Sequence, residues 1–493
     1  MNHVKKNLFL QTVYQVLSTC LPLITAPFLS RRLGATQLGV FSFTSSVVAY
    51  FTLAAMLGTV NYGTRSIAQV KDDREKRDTV FSGIFSLQII VTLVATAAYV
   101  VYLLFFCREN KTVAMIQGVA LISCLANINW LFFGVEEFRI TVSRSIVIRI
   151  ASVILILALV KDEADLWLYT LIMVGSTLLS NLILFLYMPK YVSLKMVPVS
   201  ELKEHIKPNL VLFIPLLAMT VYHTMDKTML GALSSYEQSG FYYNSDKVVQ
   251  IPFTVVNGIG TVMLPRMSAL LAEGRQKEAD RMFMTTLEGV AAASIAVSCG
   301  IAAVANEFIP IFFGSGYDPC ILITIVFTPI LLVKGFAVIA RTQYLIPMNM
   351  EKEFTKSVIG GAITNLILNL ILIPPYGALG AAIATVIAEL VACVMQFVAL
   401  RGRKLGIGKL LLKTPFYAII GFMMIGVVRL VSLINVPGIV KLIIEIVTGA
   451  CFFGTVCLIY WAKTKNRFYE IFFGRILRKI RKTYDAGTER KDI

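Results

Sequence analysis

Residues 80–106 read VFSGIFSLQIIVTLVATAAYVVYLLFF, from Val80 to Phe106 without one charged side chain. A helix rises about 1.5 Å per residue, so this run crosses the roughly 30 Å hydrocarbon core of a bilayer with length to spare. In lipid, backbone groups must be bonded within a helix or a closed barrel. A barrel needs alternating segments of about ten residues, and this run does not alternate. It predicts a membrane-spanning helix. Working outward, the same pattern gives fourteen expected spans, at 7–30, 38–62, 80–106, 112–135, 141–160, 166–188, 208–231, 248–271, 284–304, 319–343, 358–374, 378–400, 409–433 and 438–462. Of the 493 residues, 57 % are apolar and only 15 % charged, against roughly 25 % charged in soluble domains. An all-α integral membrane protein with no soluble domain is expected.

The net charge of +17 does not point to nucleic acid, because the charges fill short loops between apolar runs. With the N-terminus inside, the termini and even-numbered loops with their span ends hold 34 of the 46 basic residues, the odd-numbered loops hold seven, and five lie within spans. That bias predicts both termini in the cytoplasm. The first apolar run, with Gln11 and Gln15 in it, reads as a retained helix rather than a leader. The eight cysteines form no C-x-x-C pair, and five (Cys20, Cys124, Cys299, Cys393, Cys457) sit inside apolar runs as small core residues.

The sequence echoes itself. Leu33-Gly34-Ala35 through Gly39-Val40-Phe41 after span one returns as Leu230-Gly231-Ala232 through Gly240-Phe241-Tyr242 after span seven. Six spans separate the copies, so both share one orientation and an axis along the membrane normal should relate them. The expected organisation is an N-lobe at 1–190, a cytoplasmic linker at 191–207 and a C-lobe at 208–400. Two added spans follow at 401–462, then a basic tail at 463–493 whose stretch Phe468–Lys482 reads as an amphipathic helix on the inner leaflet.

Polar groups inside lipid should face a cavity or a partner helix. Span one carries Gln11 and Gln15 at helical spacing. Span seven carries His223, Asp226 and Lys227, three and four apart, so all are expected on one face as a coupling group. Lys247, Gln250 and Asn257 follow on one stripe, Asn365 and Asn369 lie one turn apart, and Glu389 sits in span twelve. Arg149, Lys334 and Arg341 add cations within spans. Several cations in a bilayer ask for an anion, and a diphosphate would satisfy them through charge-assisted hydrogen bonds. The expected anion-binding set is Arg149, Lys227, Lys247, Lys334 and Arg341, with His223, Asp226 and Glu389 for coupling and Gln11, Gln15, Gln250, Asn257, Asn365 and Asn369 lining the cavity. No phosphate-binding loop, zinc motif or nucleophile elbow appears, so transport is expected rather than catalysis.

Several stretches carry a family resemblance: Ser30-Arg31-Arg32-Leu33-Gly34; Tyr62-Gly63-Thr64-Arg65; Asp226-Lys227-Thr228-Met229-Leu230-Gly231; Gly240-Phe241-Tyr242-Tyr243 to Gln250-Ile251-Pro252; Val262-Met263-Leu264-Pro265-Arg266; Thr342-Gln343-Tyr344-Leu345-Ile346-Pro347; and Pro375-Tyr376-Gly377-Ala378-Leu379-Gly380. The chain resembles a bacterial polysaccharide or O-antigen unit flippase of the Wzx type, in the multidrug/oligosaccharidyl-lipid/polysaccharide exporter superfamily. The resemblance implies fourteen helices, two six-helix lobes, alternating access, and transfer of an undecaprenyl-diphosphate-linked oligosaccharide across the bacterial cytoplasmic membrane. It implies the lipid-linked oligosaccharide and membrane lipids as partners, with glycosyltransferases and a polysaccharide polymerase at adjoining steps. No cofactor is implied beyond an ion gradient, H+ or Na+. A multidrug exporter and a lipid II flippase belong to the same superfamily. A membrane-embedded glycosyltransferase or polymerase is the alternative from another class, and the largest expected outer loop, Gly231–Lys247, offers it no acidic cluster.

Overall fold

The computed structural model describes residues 2–403 and 405–464, with side chains outside 2–20, 199–201, 215, 409 and 411. The described residues are helical, without a strand. In order, the helices are α1 (Asn2–Met56), α2 (Thr59–Gln69), α3 (Arg74–Phe105), α4 (Lys111–Gln117), α5 (Val119–Leu125), α6 (Asn129–Gly134), α7 (Phe138–Leu159) and α8 (Leu166–Tyr191). There follow α9 (Val199–Leu233), α10 (Tyr236–Ala272), α11 (Gln276–Phe313), α12 (Pro319–Phe327), α13 (Ile330–Ala340), α14 (Glu351–Ala399), α15 (Ile407–Val431) and α16 (Gly438–Lys463). Among the described residues, eleven helical stretches are long and apolar enough to cross a bilayer, and the two arms of α9, Leu202–Ile214 and Leu216–Leu233, bent by 45°, make a twelfth when counted as one.

Two of the helices, α1 and α14, turn a corner at a glycine. Gly34 interrupts α1 at φ 72° and ψ 173°, and Gly377 interrupts α14 at φ 53° and ψ −129°. Both backbones lie in the positive-φ region that glycine enters without a Cβ clash. Pro374 and Pro375 precede the second break and remove donors from the helix. The expected loops at 31–37 and 375–377 are therefore one-residue corners between helical arms.

A second expectation is corrected. Gly231–Lys247 is not a long loop: α9 runs to Leu233, α10 starts at Tyr236, and only Ser234 and Ser235 lie between. The polarity of this stretch marks packing, not solvent. Ser239, Asn244 and Ser245 are buried, and the Gln238 Oε1 accepts the Ala378 backbone N–H at 2.9 Å.

The chain divides into two compact units. One takes residues up to Lys247 with Phe312–Ile323 and Val358–Ala388. Its core includes Ile67, Phe81, Ile84, Trp130 and Leu184, and a second cluster of Leu29, Leu33, Leu38, Val160 and Tyr169. The other takes Val248–Ile311, Thr324–Ser357 and the chain from Glu389. There α15 and α16 dock on α11 through Ile295, Tyr417, Met424, Val428 and Phe453. The Glu288 carboxylate accepts from Lys413 at 2.9 Å and from the Tyr417 hydroxyl at 3.0 Å, and Trp461 donates to that hydroxyl at 3.0 Å. The amphipathic segment expected at Phe468–Lys482 lies outside the described residues.

Large apolar side chains stand fully outward: Leu104 is 67 % exposed, Phe105 73 %, Leu186 80 % and Phe422 70 %. Water-soluble surfaces rarely carry apolar area on this scale, whereas hydrocarbon accepts it without penalty. The chain is a multi-pass helical membrane protein.

Candidate functional site

The fourth expected span is not one helix. It is divided into α4, α5 and α6, and residues 126–128 leave the helical ladder between the last two. Broken backbone inside a membrane protein must be re-bonded, and it occurs where it is buried or lines a cavity. Gln88 on α3, 1 % exposed, does the re-bonding. Its amide donates to the Cys124 carbonyl at 2.7 Å and the Asn127 carbonyl at 3.1 Å, while its oxygen accepts the Trp130 indole N–H at 3.0 Å.

The break places Asn127 and Asn129 on the wall of a cavity of about 610 Å³. The Asn129 amide donates to Asn127 Oδ1 at 2.8 Å and to Asn181 Oδ1 of α8 at 3.0 Å. Asn181, 7 % exposed, is anchored from behind by its own donation to the Ser123 hydroxyl at 2.9 Å. Arg144 of α7 donates to Asn129 Oδ1 at 3.0 Å and also to the Ser180 carbonyl. Arg149 lines the same cavity, as does Lys247 of α10, whose ammonium stands 3.8 Å from the centre of the Tyr243 ring. That separation is within cation–π range. Three cations, three asparagines and several hydroxyls face this space, and no carboxylate is among its lining residues. Such a cavity attracts an anion and can bond hydroxyl groups.

A second constellation in the same unit is built on Asp226 of α9, 3 % exposed. Its Oδ2 accepts the Tyr242 hydroxyl at 2.6 Å and the Thr385 hydroxyl at 2.9 Å, and its Oδ1 accepts the Asn369 amide at 2.6 Å. Asn369 also donates to Asn365 Oδ1 at 3.2 Å. The expected joint coupling group of His223, Asp226 and Lys227 is corrected here, because the three share an arc of about 100° on α9 but meet different partners. Asp226 turns to the buried cluster, whereas Lys227 pairs with Asp246 at 3.3 Å and His223 is exposed beside the Tyr222 ring.

The other unit holds the remaining expected residues. Lys334 of α13 and Glu389 of α14 pair at 3.2 Å, their side chains 11 % and 9 % exposed, with the Phe253 ring 5.5 Å from the ammonium. Arg341 opens a π-helical turn, Arg341–Leu345, and lies 5.5 Å from the Phe354 ring. Gln250 is exposed and Asn257 half-buried. The expectation that these cations await an anionic cargo is thus corrected for Lys227 and Lys334, each facing a carboxylate.

The family described as polysaccharide biosynthesis protein matches residues 4–271. The chain belongs to this family. A protein of Escherichia coli (strain K12) named as an O-antigen transporter is 23 % identical over 409 residues, covering 82 % of this chain and 98 % of its own. One of Haloferax volcanii, named as a low-salt glycan biosynthesis flippase, is 23 % identical over 246 residues, 48 % of this chain and half of its own. The solved structure of a lipid II flippase, MurJ, in an inward closed conformation superposes with a TM-score of 0.73 at 15 % identity, covering 92 % of this chain and 99 % of its own. An inward-facing multidrug transporter of the MATE family gives 0.61 at 14 % identity over 80 % of this chain and 94 % of its own. At these identities the two structures establish the fold, not the cargo.

In this family member, then, the structure sets Arg149 and Lys247 on one cavity, links Asp226 to Asn369 and through it to Asn365, and pairs Lys334 with Glu389. It places Lys227, Lys334, Arg341, Gln250 and Asn257 outside the lining of the described cavity. The side chains of Gln11 and Gln15 lie outside the described residues. Sequence reading missed Arg144, Asn127, Asn129, Asn181, Tyr242 and Thr385. A faint signal existed: Arg144 stands five residues before Arg149, and two asparagines interrupt an apolar run at 127 and 129.

Proposed function

We propose that this chain moves an undecaprenyl-diphosphate-linked oligosaccharide from the inner to the outer leaflet of the bacterial cytoplasmic membrane by alternating access. The observation that carries the reading is the cavity lined by Arg144, Arg149 and Lys247 without a carboxylate. A diphosphate is the part of the cargo that stays the same when the glycan varies. Arg149 and Lys247, both on the lining of the cavity, hold it. The prenyl tail stays in the bilayer. The names of the relatives support the same class of cargo.

On this reading the helices make fourteen spans, because the corners at Gly34 and Gly377 each divide one long stretch into two. Residues 1–190 and 208–400 are the two repeats, and α15 and α16 are the added pair. The positive-inside bias places both termini in the cytoplasm. Asp226, with Tyr242, Asn369 and Thr385, serves coupling to H+ or Na+. The protein acts as a transporter without a prosthetic group, between glycosyltransferases and a polymerase.

The test is transport in proteoliposomes. Arg149→Gln with Lys247→Gln should lower flipping of lipid-linked oligosaccharide at least tenfold at unchanged protein level. Lys352→Gln and Lys356→Gln, on the exposed start of α14, should change it little. Near-normal transport in the double variant removes the cationic-cavity mechanism. Offering lipid II and a cationic drug as cargo in the same vesicles separates the three superfamily activities.

A further inference from the structure

Two kinds of polar group line the cavity. Arg149 and Lys247 supply charge. Asn127, Asn129 and Asn181 form a continuous chain of amides that ends on Ser123, and this chain takes up the charge-bearing end of Arg144. Arg144 and Arg149 lie five residues apart on α7, about 7.5 Å along the axis. Phe133 and Phe138 line the same cavity and stack on each other with centres 5.7 Å apart.

The backbone explains why the amides are there. An unbroken fourth span would aim residues 127 and 129 about 200° apart around the helix. Leaving the ladder at 126–128 puts both on one wall, and Gln88 offsets the lost backbone bonds. Interrupted helices in transporters mark the place where cargo is bound. An asparagine offers donors and an acceptor together, as a sugar hydroxyl does. Here the amides are held by one another: Asn129 donates to both neighbours, Asn181 donates to the carbonyl and the hydroxyl of Ser123, and the Asn129 and Asn181 oxygens, each accepting one bond, keep a second lone pair for what enters the cavity. Fixed amides discriminate, because a sugar hydroxyl that does not meet an open lone pair on them gives up its water without gaining a partner.

We infer that the interruption between α5 and α6, through Asn127, Asn129 and Asn181, reads the sugar joined to the diphosphate and sets glycan specificity. The inference rests on the diphosphate reading above and assigns a separate task to a separate wall. Arg149 and Lys247 accept any lipid diphosphate. The amide wall selects among the sugars it carries, by the positions of their hydroxyls, while the Phe133–Phe138 pair offers an apolar face to the ring.

The experiment measures affinity of the purified full-length protein for four probes: a short-chain prenyl diphosphate without sugar, and the same lipid bearing one hexose, its 4-epimer, or its 2-acetamido counterpart. Wild type should rank the three sugars over at least tenfold. Asn127→Ala should flatten that ranking about tenfold, and Asn127→Ser, which keeps an acceptor for Asn129, should flatten it less. Arg149→Gln should weaken all four probes while preserving the ranking of the sugars. A wild type that binds the sugars alike overturns the inference. So does an Asn127→Ala variant, folded by its melting curve, that keeps the wild-type ranking. Failure of the sugar-free diphosphate to bind wild type would instead overturn the diphosphate reading, so the two failures are distinct.

Discussion

Gly39 and Gly240 touch each other's helices at matching offsets. A Cβ on Gly39 would lie 1.6 Å from the carbonyl oxygen of Tyr236, and a Cβ on Gly240 would lie 1.9 Å from that of Ala35. Each glycine thus meets the residue four places before the other, and the two glycines are the positions at which the sequence repeats itself. Backbone against backbone leaves nothing flexible to give way, so added volume must push the helices apart. Gly39→Ala and Gly240→Ala should each destabilise the protein by about 1–3 kcal/mol or more. Gly175→Ala, where nothing lies within 4 Å, should be neutral or gain about 0.4–1 kcal/mol. Thermal melting in detergent decides it, and equal melting points for Gly39→Ala and Gly175→Ala would show that the crossing is not tight.

The Lys334–Glu389 pair yields a second prediction. Removing one member of a buried pair strands the other, a loss of about 3–5 kcal/mol, whereas replacing both with apolar residues is often neutral. Lys334→Met and Glu389→Leu should therefore each destabilise strongly, and the double variant should recover most of the loss. Denaturation of the three variants checks this. Additive losses would mean that the ion pair does not form.

Much of this architecture was legible in the sequence, and for one reason. A bilayer forces about 20 apolar residues per crossing, so Val80–Phe106 declares itself and the corners at Gly34 and Gly377 fall between expected spans. Which polar residues meet was less legible. Pairing depends on the rotation of each helix and on what stands opposite, so Lys334 and Glu389, 55 positions apart, carry no mark of each other. Asp226, Asn365 and Asn369 were recognisable as costly residues in lipid, but Tyr242 and Thr385 belong to types that bond anywhere. The amide wall was hidden because a break in a helix is a tertiary event, made tolerable by Gln88 from another helix.

Orientation gives a third prediction. Reporter fusions ending at Ala35, Lys161 and Ser235 should report outside, and those ending at Asp73 and Arg403 inside. The loops on the second side carry the lysines and arginines that resist translocation. Ala35 follows a one-residue corner and Ser235 is the second residue of a two-residue turn, so both sample short connections. Reversal at two or more sites would sink both the topology and the parallel repeat.

The last prediction concerns Asp226. The Thr385 hydroxyl carries one hydrogen but has three acceptors within reach, Asp226 Oδ2 at 2.9 Å, the Ala381 carbonyl at 2.8 Å and the Tyr242 hydroxyl at 3.1 Å. With Asp226 ionised, Thr385 can donate to it. With Asp226 protonated, Thr385 can turn its hydrogen to Ala381 and accept the new proton, with no heavy atom moving. The site can therefore hold two charge states of Asp226 in one geometry, as a coupling group requires, while Tyr242 and Asn369 keep the carboxyl in place. Asp226→Asn keeps the shape and removes the second state. It should abolish stimulation of flipping by an imposed ion gradient while leaving the melting temperature within a few degrees of wild type. Thr385→Val should weaken the stimulation, because the protonated state then lacks its acceptor, and Thr385→Ser should restore it. Transport is measured in proteoliposomes with a pH gradient, with a sodium gradient and with neither. An Asp226→Asn protein that still responds to the gradient that drives wild type would place coupling elsewhere in the molecule.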